Sequence, residues 1–591
     1  MRWFYLLPVS ALLFFMLPAA APGPNNWRDK ISPDLLAALE RGESVEMLVV
    51  MQEQANLSAV RIIRGKAAKG AWVYQTLSST AKRTQAPVQA LLREHGAPFK
   101  AFSIVNAVFT RVNIDVAREL AGLDAVRQLQ PNPWVQMEPA MPDRAYHTGR
   151  NLIEWGIERI NADDVWALGF NGQDVVVGGQ DTGYDWDHPA IMSQYRGWNG
   201  AEADHNYNWH DAIHGISPLH GDTTLNPANN PCGIDIDTPC DDNSHGTHTM
   251  GTMVGDDGQG NQIGVAPGAR WVGVRNMERG WGSPATYLEG FEWFLAPTDL
   301  DGANPQPAMA PHVINNSWGC PPVEGCNADN WGIMNQAVNA LRAAGIVVVV
   351  SAGNSGSSCA TVRDPAAIFE GSFSVGATRP NDTIAGFSSR GPVLVDGSLR
   401  LKPDVSAPGV SVRSSIPGGG YAAFNGTSMA GPHVAGAVAL LISAVPELAG
   451  EVDSIEAILR RTAVPKLADQ DCEGYLGQQV PNAVYGHGRI DVLAAVLEAQ
   501  RTITNAGEPD NAEAVRVFPN PAGDWVQLSW GAQQQWDKVE LFGADGRLAL
   551  SQQVSGKQWA DIPLTALPAG VYLYRLTDRS GNQTTGRIVR Q

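Results

Sequence analysis

The segment between residues 150 and 500 alternates continuous apolar runs with helical patterns, and this alternation constrains the fold most strongly. Such strands lack a polar face, so they are typical of a parallel α/β sheet that is covered by helices on both sides. In a sheet of this kind, active groups collect in the loops that leave the carboxyl ends of the strands. The strand-like runs are DVVVGG, RWVGVRN, HVINNSWG, GIVVVVSAGN and SFSVGAT, and the helical runs include MNQAVNALRAA and VAGAVALLISAV.

Three short motifs carry an acid, an imidazole and an alcohol at predicted strand or helix ends. Asp181 stands in GGQDTG, His245 in DDNSHGTH and Ser428 in FNGTSMAG. A serine hydroxyl is a poor nucleophile until a base removes its proton, and an imidazole is a good base once a carboxylate orients it. The small residues after Ser428 predict a helix that starts at the serine, where its dipole favours developing negative charge.

A fourth motif offers a hydrogen-bond donor for the negative charge that develops during such a reaction. Asn354 ends the run SAGN, directly after the buried strand GIVVVV, and its side-chain amide is able to donate to an oxyanion. The four residues together predict acyl-transfer chemistry.

These motifs, with GVAPGA, NNSWG and KPDVSAPG, resemble the subtilisin family of serine proteases, whose triad follows the chain order Asp, His, Ser. Within that family the chain is most similar to the bacillopeptidase F-like group. The resemblance implies a doubly wound parallel sheet and a serine endopeptidase. In that enzyme Asp181 orients the imidazole, His245 is general base and then acid, Ser428 attacks, and Asn354 stabilises the oxyanion.

The resemblance also implies how the substrate is held. Ser317, Trp318 and Gly319 would form an edge strand that pairs with a protein or peptide substrate, and Ser351, Ala352 and Gly353 would line the same site. No cofactor is required for the chemistry. Two other functions stay open, a serine esterase or amidase and a catalytically silent binding protein. The edge strand favours extended peptides, and none of the four catalytic positions is replaced.

Residues 201–240 form an acidic insertion relative to compact subtilisins. Carboxylates in such a loop are able to hold a structural calcium ion, although a solvated acidic loop is the favoured alternative. In addition, Ala190 stands where calcium-binding subtilisins carry an acidic residue. The candidate calcium ligands are Asp235, Asp237, Asp241 and Asp242.

Residues 1–21 combine Arg2, an apolar run and a small-residue end, which predicts a signal peptide, with a retained membrane anchor as the alternative. No later segment is predicted to cross a membrane, so we expect an exported mature form without a membrane span. Residues 25–140 follow a β-α-β-β-α-β pattern that predicts a ferredoxin-like domain. This region resembles the inhibitory propeptide of subtilisins, and we expect self-cleavage between about residues 135 and 150. An ordinary accessory domain is the alternative.

Residues 517–591 change to short alternating strands without a long helix, which predicts a small antiparallel β-sandwich. The region resembles the sorting module of the type IX secretion pathway. That resemblance implies contact with the secretion machinery, export through the outer membrane, and a secreted or cell-surface protein. A substrate-binding or stabilising sandwich is the alternative.

The remaining composition narrows the class of protein. A net charge of −18 argues against nucleic-acid binding, because phosphate backbones need a basic surface. Six cysteines in an exported chain suit disulfides, and no CxxC pair suggests a metal. The pairs that we expect, among several possible connectivities, are Cys232–Cys240, Cys320–Cys326 and Cys359–Cys472.

Overall fold

The structure is a computed structural model, and the chain divides into two compact units at residues 499 and 500. The expected signal peptide and Cys320 lie outside the described residues. The residues that the structure describes are 26–138, 141–143, 152–319, 326–327, 330–506, 515–518, 520, 522–530, 535–543 and 546–590.

The N-terminal region folds into a four-stranded antiparallel sheet in the order β2-β3-β1-β4, with helices between the strands. One helix ends at Thr84 and the next begins at Ala86, so Pro87 lies in the first turn of a new helix, where its missing N–H costs nothing. Its strands and helices are α1 (Pro33–Glu40), β1 (Val45–Met51), α2 (Lys66–Thr84), α3 (Ala86–Glu94), β2 (Phe99–Phe102), β3 (Ala107–Val112), α4 (Ile114–Gly122) and β4 (Val126–Pro131).

Both faces of β1 are buried, and they face different partners. Met47, Val49 and Met51 belong to the hydrophobic core of the N-terminal region itself. Leu48 and Val50, on the opposite face, belong to a cluster shared with the central sheet and its helices. Since successive side chains of a strand point to opposite faces, one strand joins the two cores.

The centre of the first unit is a seven-stranded parallel sheet in the order β16-β15-β14-β13-β8-β11-β9, which confirms the predicted fold class. Every residue of the run Val347–Ser351 is buried, as a strand covered on both faces requires. The strands are β8 (Val176–Asp181), β9 (Trp209–Asp211), β11 (Arg270–Arg275), β13 (Val313–Asn316), β14 (Val347–Ser351), β15 (Phe373–Thr378) and β16 (Val405–Pro408).

Helices and short paired strands surround this sheet. The helices are α5 (Trp155–Arg159), α6 (Ala162–Ala167), α7 (His245–Val254), α8 (Pro284–Leu295), α9 (Trp331–Ala343), α10 (Thr427–Ala444), α11 (Val452–Thr462) and α12 (Val492–Ala506). The further strands are β5 (Val135–Gln136), β6 (Met141–Pro142), β7 (Leu152–Ile153), β10 (Asn261–Gln262), β12 (Trp281–Gly282), β17 (Val412–Ile416) and β18 (Gly420–Asn425).

Helix α10 runs through the core. Its length and apolar composition would suffice to cross a membrane, but 89% of it is buried inside the fold, as expected of a core helix. Pro432 lies within it and has no N–H for the carbonyl of Ser428, four residues earlier. The hydroxyl of Ser317 donates to that carbonyl instead, at 3.3 Å, so the start of the helix is tied to the loop after β13.

Two of the three expected disulfides lie within the described residues. Cys232 is bonded to Cys240, and Cys359 is bonded to Cys472. The first closes the acidic insertion just before α7, and the second ties the loop after β14 to a segment 113 residues further along the chain. The third expected pair contains Cys320.

The second unit contains two antiparallel sheets around their own apolar core, as the alternating pattern predicted. One sheet has the order β19-β20-β23 and the other the order β22-β21-β24-β25. The strands are β19 (Arg516–Phe518), β20 (Trp525–Ser529), β21 (Lys538–Gly543), β22 (Leu548–Gln553), β23 (Trp559–Pro563), β24 (Gly570–Thr577) and β25 (Gln583–Arg590).

Candidate active site

Asp181 and His245 form a buried hydrogen-bonded pair. Asp181 is the last residue of β8 and His245 the first of α7. Oδ1 of Asp181 lies 2.7 Å from Nδ1 of His245, and each side chain is only 1% exposed. The backbone N–H of Thr182 also donates to Oδ1 of Asp181, at 2.8 Å. The carboxylate is therefore fixed at the end of a central strand, with the imidazole in contact.

The pKa of His245 reflects two opposing effects. Burial of the ring lowers the pKa, but the charge and hydrogen bond of Asp181, together with the charge of Asp241, outweigh it, so the net pKa is raised. Nearby negative charge favours the imidazolium over the neutral ring. The site therefore stabilises the positive charge that a histidine acquires when it accepts a proton.

Asp241 connects the loops that carry this pair. Its Oδ1 accepts from the hydroxyl of Thr182 at 2.8 Å, and its Oδ2 accepts from the N–H of Thr247 at 2.9 Å and from the hydroxyl of the same residue at 2.6 Å. The N–H groups of Asn243 and Ser244 also donate to Oδ1, each at 3.0 Å. Asp241 was one of the candidate calcium ligands, and its oxygens accept hydrogen bonds that hold the residues beside Asp181 and His245.

The other candidate calcium ligands are dispersed. Asp242 forms an ion pair with Arg275 at 2.5 Å, whereas Asp235 contacts His214. Nowhere in the described ranges do three or more His, Cys, Asp or Glu side chains form a group able to hold a metal ion. The four carboxylates, including Asp237, do not fit a shared calcium site.

Ser428 lies in the first turn of α10, as the sequence predicts. Its hydroxyl donates to the carbonyl oxygen of Ser317 at 3.2 Å. Within the part of the chain that the structure describes, the buried Nε2 of His245 has no hydrogen-bond partner. The hydroxyl is therefore turned toward the loop after β13 in this state, and the imidazole nitrogen is free to accept a proton.

Asn354 is held by one end of its amide. Its Oδ1 accepts from both the N–H and the hydroxyl of Thr427, each at 2.9 Å. This arrangement fixes the side chain beside Ser428 and leaves the NH₂ group unused by Thr427. The Nδ2 atom lies 3.9 Å from where a Cβ on Gly426 would be, so the amide faces the start of α10.

A cavity of about 290 Å³ lies beside Ser428 and Asn354. Ser317, Trp318 and Gly319 form part of its lining, as do Ser351, Ala352 and Gly353, so the structure brings all the expected substrate-binding residues together. Trp318 is 5% exposed and stacks on Tyr287 with ring centroids 3.8 Å apart. Its ring is thus packed against α8.

The end of the N-terminal region occupies this site as an extended segment. Strand β5 pairs antiparallel with β12, and the N–H of Met137 donates to the carbonyl of Gly280 at 2.8 Å. Gln136, Met137 and Glu138 then line the cavity that contains Ser428. A peptide strand therefore lies across the site in the manner of β-strand addition.

Three residues of the site were not anticipated from the sequence. Gly280 supports the bound segment, and Arg363 and Asp364 line the cavity from the loop that follows Asn354. No local motif identifies them, because their importance comes from contacts between distant parts of the chain. The proline after Asp364 and the nearby disulfide at Cys359 were the signals of a constrained loop.

Comparisons with known proteins agree with this geometry. A sequence profile of the Subtilase family matches residues 172–488. Bacillopeptidase F of Bacillus subtilis (strain 168) is 36% identical over 502 residues, which cover 79% of this chain but only 32% of that protein. Subtilisin E of the same organism is 32% identical over 426 residues, covering 71% of this chain and 88% of that protein.

A second profile, described as a secretion system C-terminal sorting domain, matches residues 516–591. The match coincides with the second structural unit, which begins at residue 500. It indicates export through the outer membrane to the cell surface or the medium.

Proposed function

The chain belongs to the subtilase family of serine endopeptidases, and on that premise we propose that it hydrolyses peptide bonds through an acyl-enzyme intermediate. The observation that carries the proposal is the buried Asp181–His245 contact of 2.7 Å, together with Ser428 in the first turn of α10. Subtilases need no catalytic cofactor, so the chain's own side chains account for the whole reaction.

In the first step, Oγ of Ser428 bonds to the substrate carbonyl carbon while His245 takes the serine proton. Asp181 holds the imidazole through Nδ1 and stabilises its positive charge. The C–N bond then breaks, and the imidazolium gives its proton to the departing amine. Water attacks the acyl-enzyme in the second half, His245 accepts a water proton, and the serine is restored as the acid product leaves.

The Ser428 hydroxyl must rotate for this reaction, because in the precursor it donates to the carbonyl of Ser317. Rotation about one side-chain bond is a small change, and catalytic hydrogen bonds often form fully only when substrate is bound. The unpartnered Nε2 of His245 supports this reading.

Asn354 is the proposed donor to the oxyanion. Thr427 fixes the oxygen end of its amide, so the NH₂ end is preorganised when negative charge develops. A preorganised donor costs no reorientation in the transition state.

The pairing of β5 with β12 supports an endopeptidase over an esterase or amidase. Backbone hydrogen bonds such as that from Met137 to Gly280 recognise an extended peptide. A small ester lacks the backbone to make them.

We further propose that residues 25–140 act as an intramolecular inhibitor that the active enzyme removes between about residues 135 and 150. The occupancy of the cavity by Gln136, Met137 and Glu138 supports this proposal. The N-terminal signal peptide over residues 1–21 and contact of residues 517–591 with the type IX secretion machinery belong to the same proposal.

The test compares Ser428→Ala with Ser443→Ala, a control serine on the same helix. We expect Ser443→Ala to mature and to hydrolyse an unstructured protein, while Ser428→Ala stays full-length and inactive in a pure preparation. Maturation or peptide hydrolysis by purified Ser428→Ala would contradict the proposal.

A second assay offers the mature protein matched peptide and ester substrates. Turnover of the peptide supports an endopeptidase. Turnover of the ester alone would favour the esterase alternative, and turnover of neither would favour a silent binding protein.

A further inference from the structure

The cavity beside Ser428 contains an unexpected carboxyl group. Asp364 lies against Gly319, because a Cβ placed on Gly319 would be 3.5 Å from Cβ and 3.7 Å from Oδ2 of Asp364. Both residues line the cavity together with Ser428 and Asn354. The expected edge strand over residues 317–319 is not formed in this structure, because β13 ends just before it and the bound segment pairs with β12. A side chain that enters this cavity lies beside Ser428 and Asn354, where the residue before the cleaved bond would place it.

One oxygen of the Asp364 carboxyl group lacks a hydrogen-bond donor among the described residues. This oxygen is Oδ1, and it is buried. Burial raises the pKa of Asp364 to about 6, with Arg363 lowering the pKa and Glu138 raising it. A buried carboxylate without a partner is unfavourable by the full cost of its lost hydration, so a donor entering the cavity gains that stabilisation.

Arg363 does not satisfy this carboxylate. Arg363 is exposed, and among the described residues neither it nor any other residue donates a hydrogen bond to Oδ1 of Asp364. The charge of Arg363 lowers the pKa of Asp364, but burial outweighs this effect and the net pKa is raised.

The segment that lies in the cavity places a negative charge, that of Glu138, near Asp364. The backbone of β5 and Met137 holds the segment on β12, and the next residue, Glu138, lines the cavity with Asp364. Two carboxyl groups thus share one cavity, and the effect of Glu138 on Asp364 is repulsive. The segment binds through its backbone and donates no hydrogen bond to Oδ1 of Asp364.

We infer that Asp364 makes this cavity select substrates with a cationic side chain, lysine or arginine, immediately before the cleaved bond. The inference rests on the proposed endopeptidase function and assigns its substrate class. A guanidinium or ammonium donates to the unpartnered oxygen in a charge-assisted hydrogen bond, which an apolar side chain cannot supply and an acidic one opposes.

The first experiment measures kcat/KM of the mature enzyme on peptides that differ only at that residue, which is Arg, Lys, Leu or Glu. A hydrogen bond between charged groups is worth about tenfold or more in rate, so we expect the Arg and Lys peptides to exceed the Glu peptide by at least about that factor. Preference for Glu, or equal rates for all four, would overturn the inference.

Two variants assign the preference to one side chain. Asp364→Asn keeps the shape and removes the charge, so we expect the Arg and Lys rates to fall about tenfold or more with little change for Leu. Asp174→Asn, at an exposed aspartate just before β8 and outside the cavity lining, is the matched control and should leave the cationic preference in place. An unchanged preference in Asp364→Asn would overturn the inference.

The second experiment needs no turnover, so it separates this inference from the proposed function. Benzamidine, a small amidinium, is titrated by calorimetry into the full-length Ser428→Ala chain, in which the cavity is present. We expect binding that weakens about tenfold or more when Asp364→Asn is added. Absent binding, or equal binding to both proteins, would overturn the inference, whereas failure of the wild-type enzyme to cleave any peptide would overturn the proposed function.

Discussion

Asn354 uses the two ends of its amide differently. The oxygen accepts from the N–H and hydroxyl of Thr427 at 2.9 Å, which holds the side chain in place. The nitrogen end faces the start of α10, where Ser428 lies. The side chain is thus a fixed dipole, and its proposed effect appears only when negative charge develops on the substrate.

Replacing Asn354 by alanine tests this residue. Loss of one such donor lowers turnover by about 10²–10³, so we expect Asn354→Ala to lower kcat by that factor with a small change in KM. Steady-state kinetics on a peptide substrate measure both constants. A rise in KM at constant kcat would show that Asn354 binds the substrate without acting on the transition state.

The raised pKa of His245 gives a prediction for pH dependence. The general base must be neutral, so kcat/KM rises with pH through the pKa of His245, which lies above the ordinary value for histidine. Asp241 contributes negative charge that raises this pKa, so we expect Asp241→Asn to move the acid limb of the profile to lower pH. The control is Asp524→Asn in the second unit. A shift to higher pH would contradict this account.

The sequence singles out the proposed catalytic residues because each stands at a strong local signal. Asp181 and Asn354 follow buried strands, and Ser428 precedes a run of small residues that forms α10. Asp364 has no comparable signal. Its role depends on lying next to Gly319, which is 45 positions away in the printed sequence, and on sharing a cavity with Glu138.

At the scale of elements, long strands were predicted and two-residue strands were not. The seven central strands are continuous apolar runs, and burial on both faces fixes their pattern. Strands β5 and β12 have two residues each, too few for a periodic pattern. They exist because their backbones pair with each other, so only the folded chain reveals them.

The stability of the pairing between β5 and β12 should depend on pH. In the precursor the pKa of Asp364 is raised to about 6, chiefly by burial, with Arg363 opposing and Glu138 adding to the rise. A group whose pKa is raised in the docked state binds its proton more tightly there. Glu138 belongs to the docked segment and raises the pKa of Asp364, so this pKa falls when the segment leaves. Docking is therefore strongest where Asp364 is protonated and weakens as pH rises toward about 6.

Amide hydrogen exchange of the peptide that contains Met137 measures this effect in the full-length Ser428→Ala chain. After correction for the intrinsic pH dependence of exchange, we expect protection to fall between about pH 4 and pH 6. Asp364→Asn is the control and should show a flat corrected profile. Protection that increases over this range would contradict the assignment of Asp364.

At the scale of the whole molecule, catalysis and export belong to different units. The proposed catalytic residues and the cavity lie in the first unit, and the sorting-domain match lies within the second. Each unit has its own apolar core, so each is expected to keep its fold when the other is altered.

Deleting residues 517–591 should therefore abolish export and leave catalysis intact. We expect the shortened chain to accumulate inside the cell, while full-length Ser428→Ala, which lacks the nucleophile, still reaches the surface or the medium. Immunodetection in cell and medium fractions measures both. Normal export of the shortened chain would favour a stabilising or substrate-binding role for the sandwich.

The measurement that tests the central claim most directly is labelling with a fluorophosphonate, followed by mass spectrometry of the labelled peptide. A fluorophosphonate reacts with a serine that a neighbouring base activates. The account predicts one adduct, on Ser428, and its loss in His245→Ala. Absence of label on Ser428 in the mature protein, or equal labelling of His245→Ala, would contradict the assignment of Ser428 as the activated nucleophile.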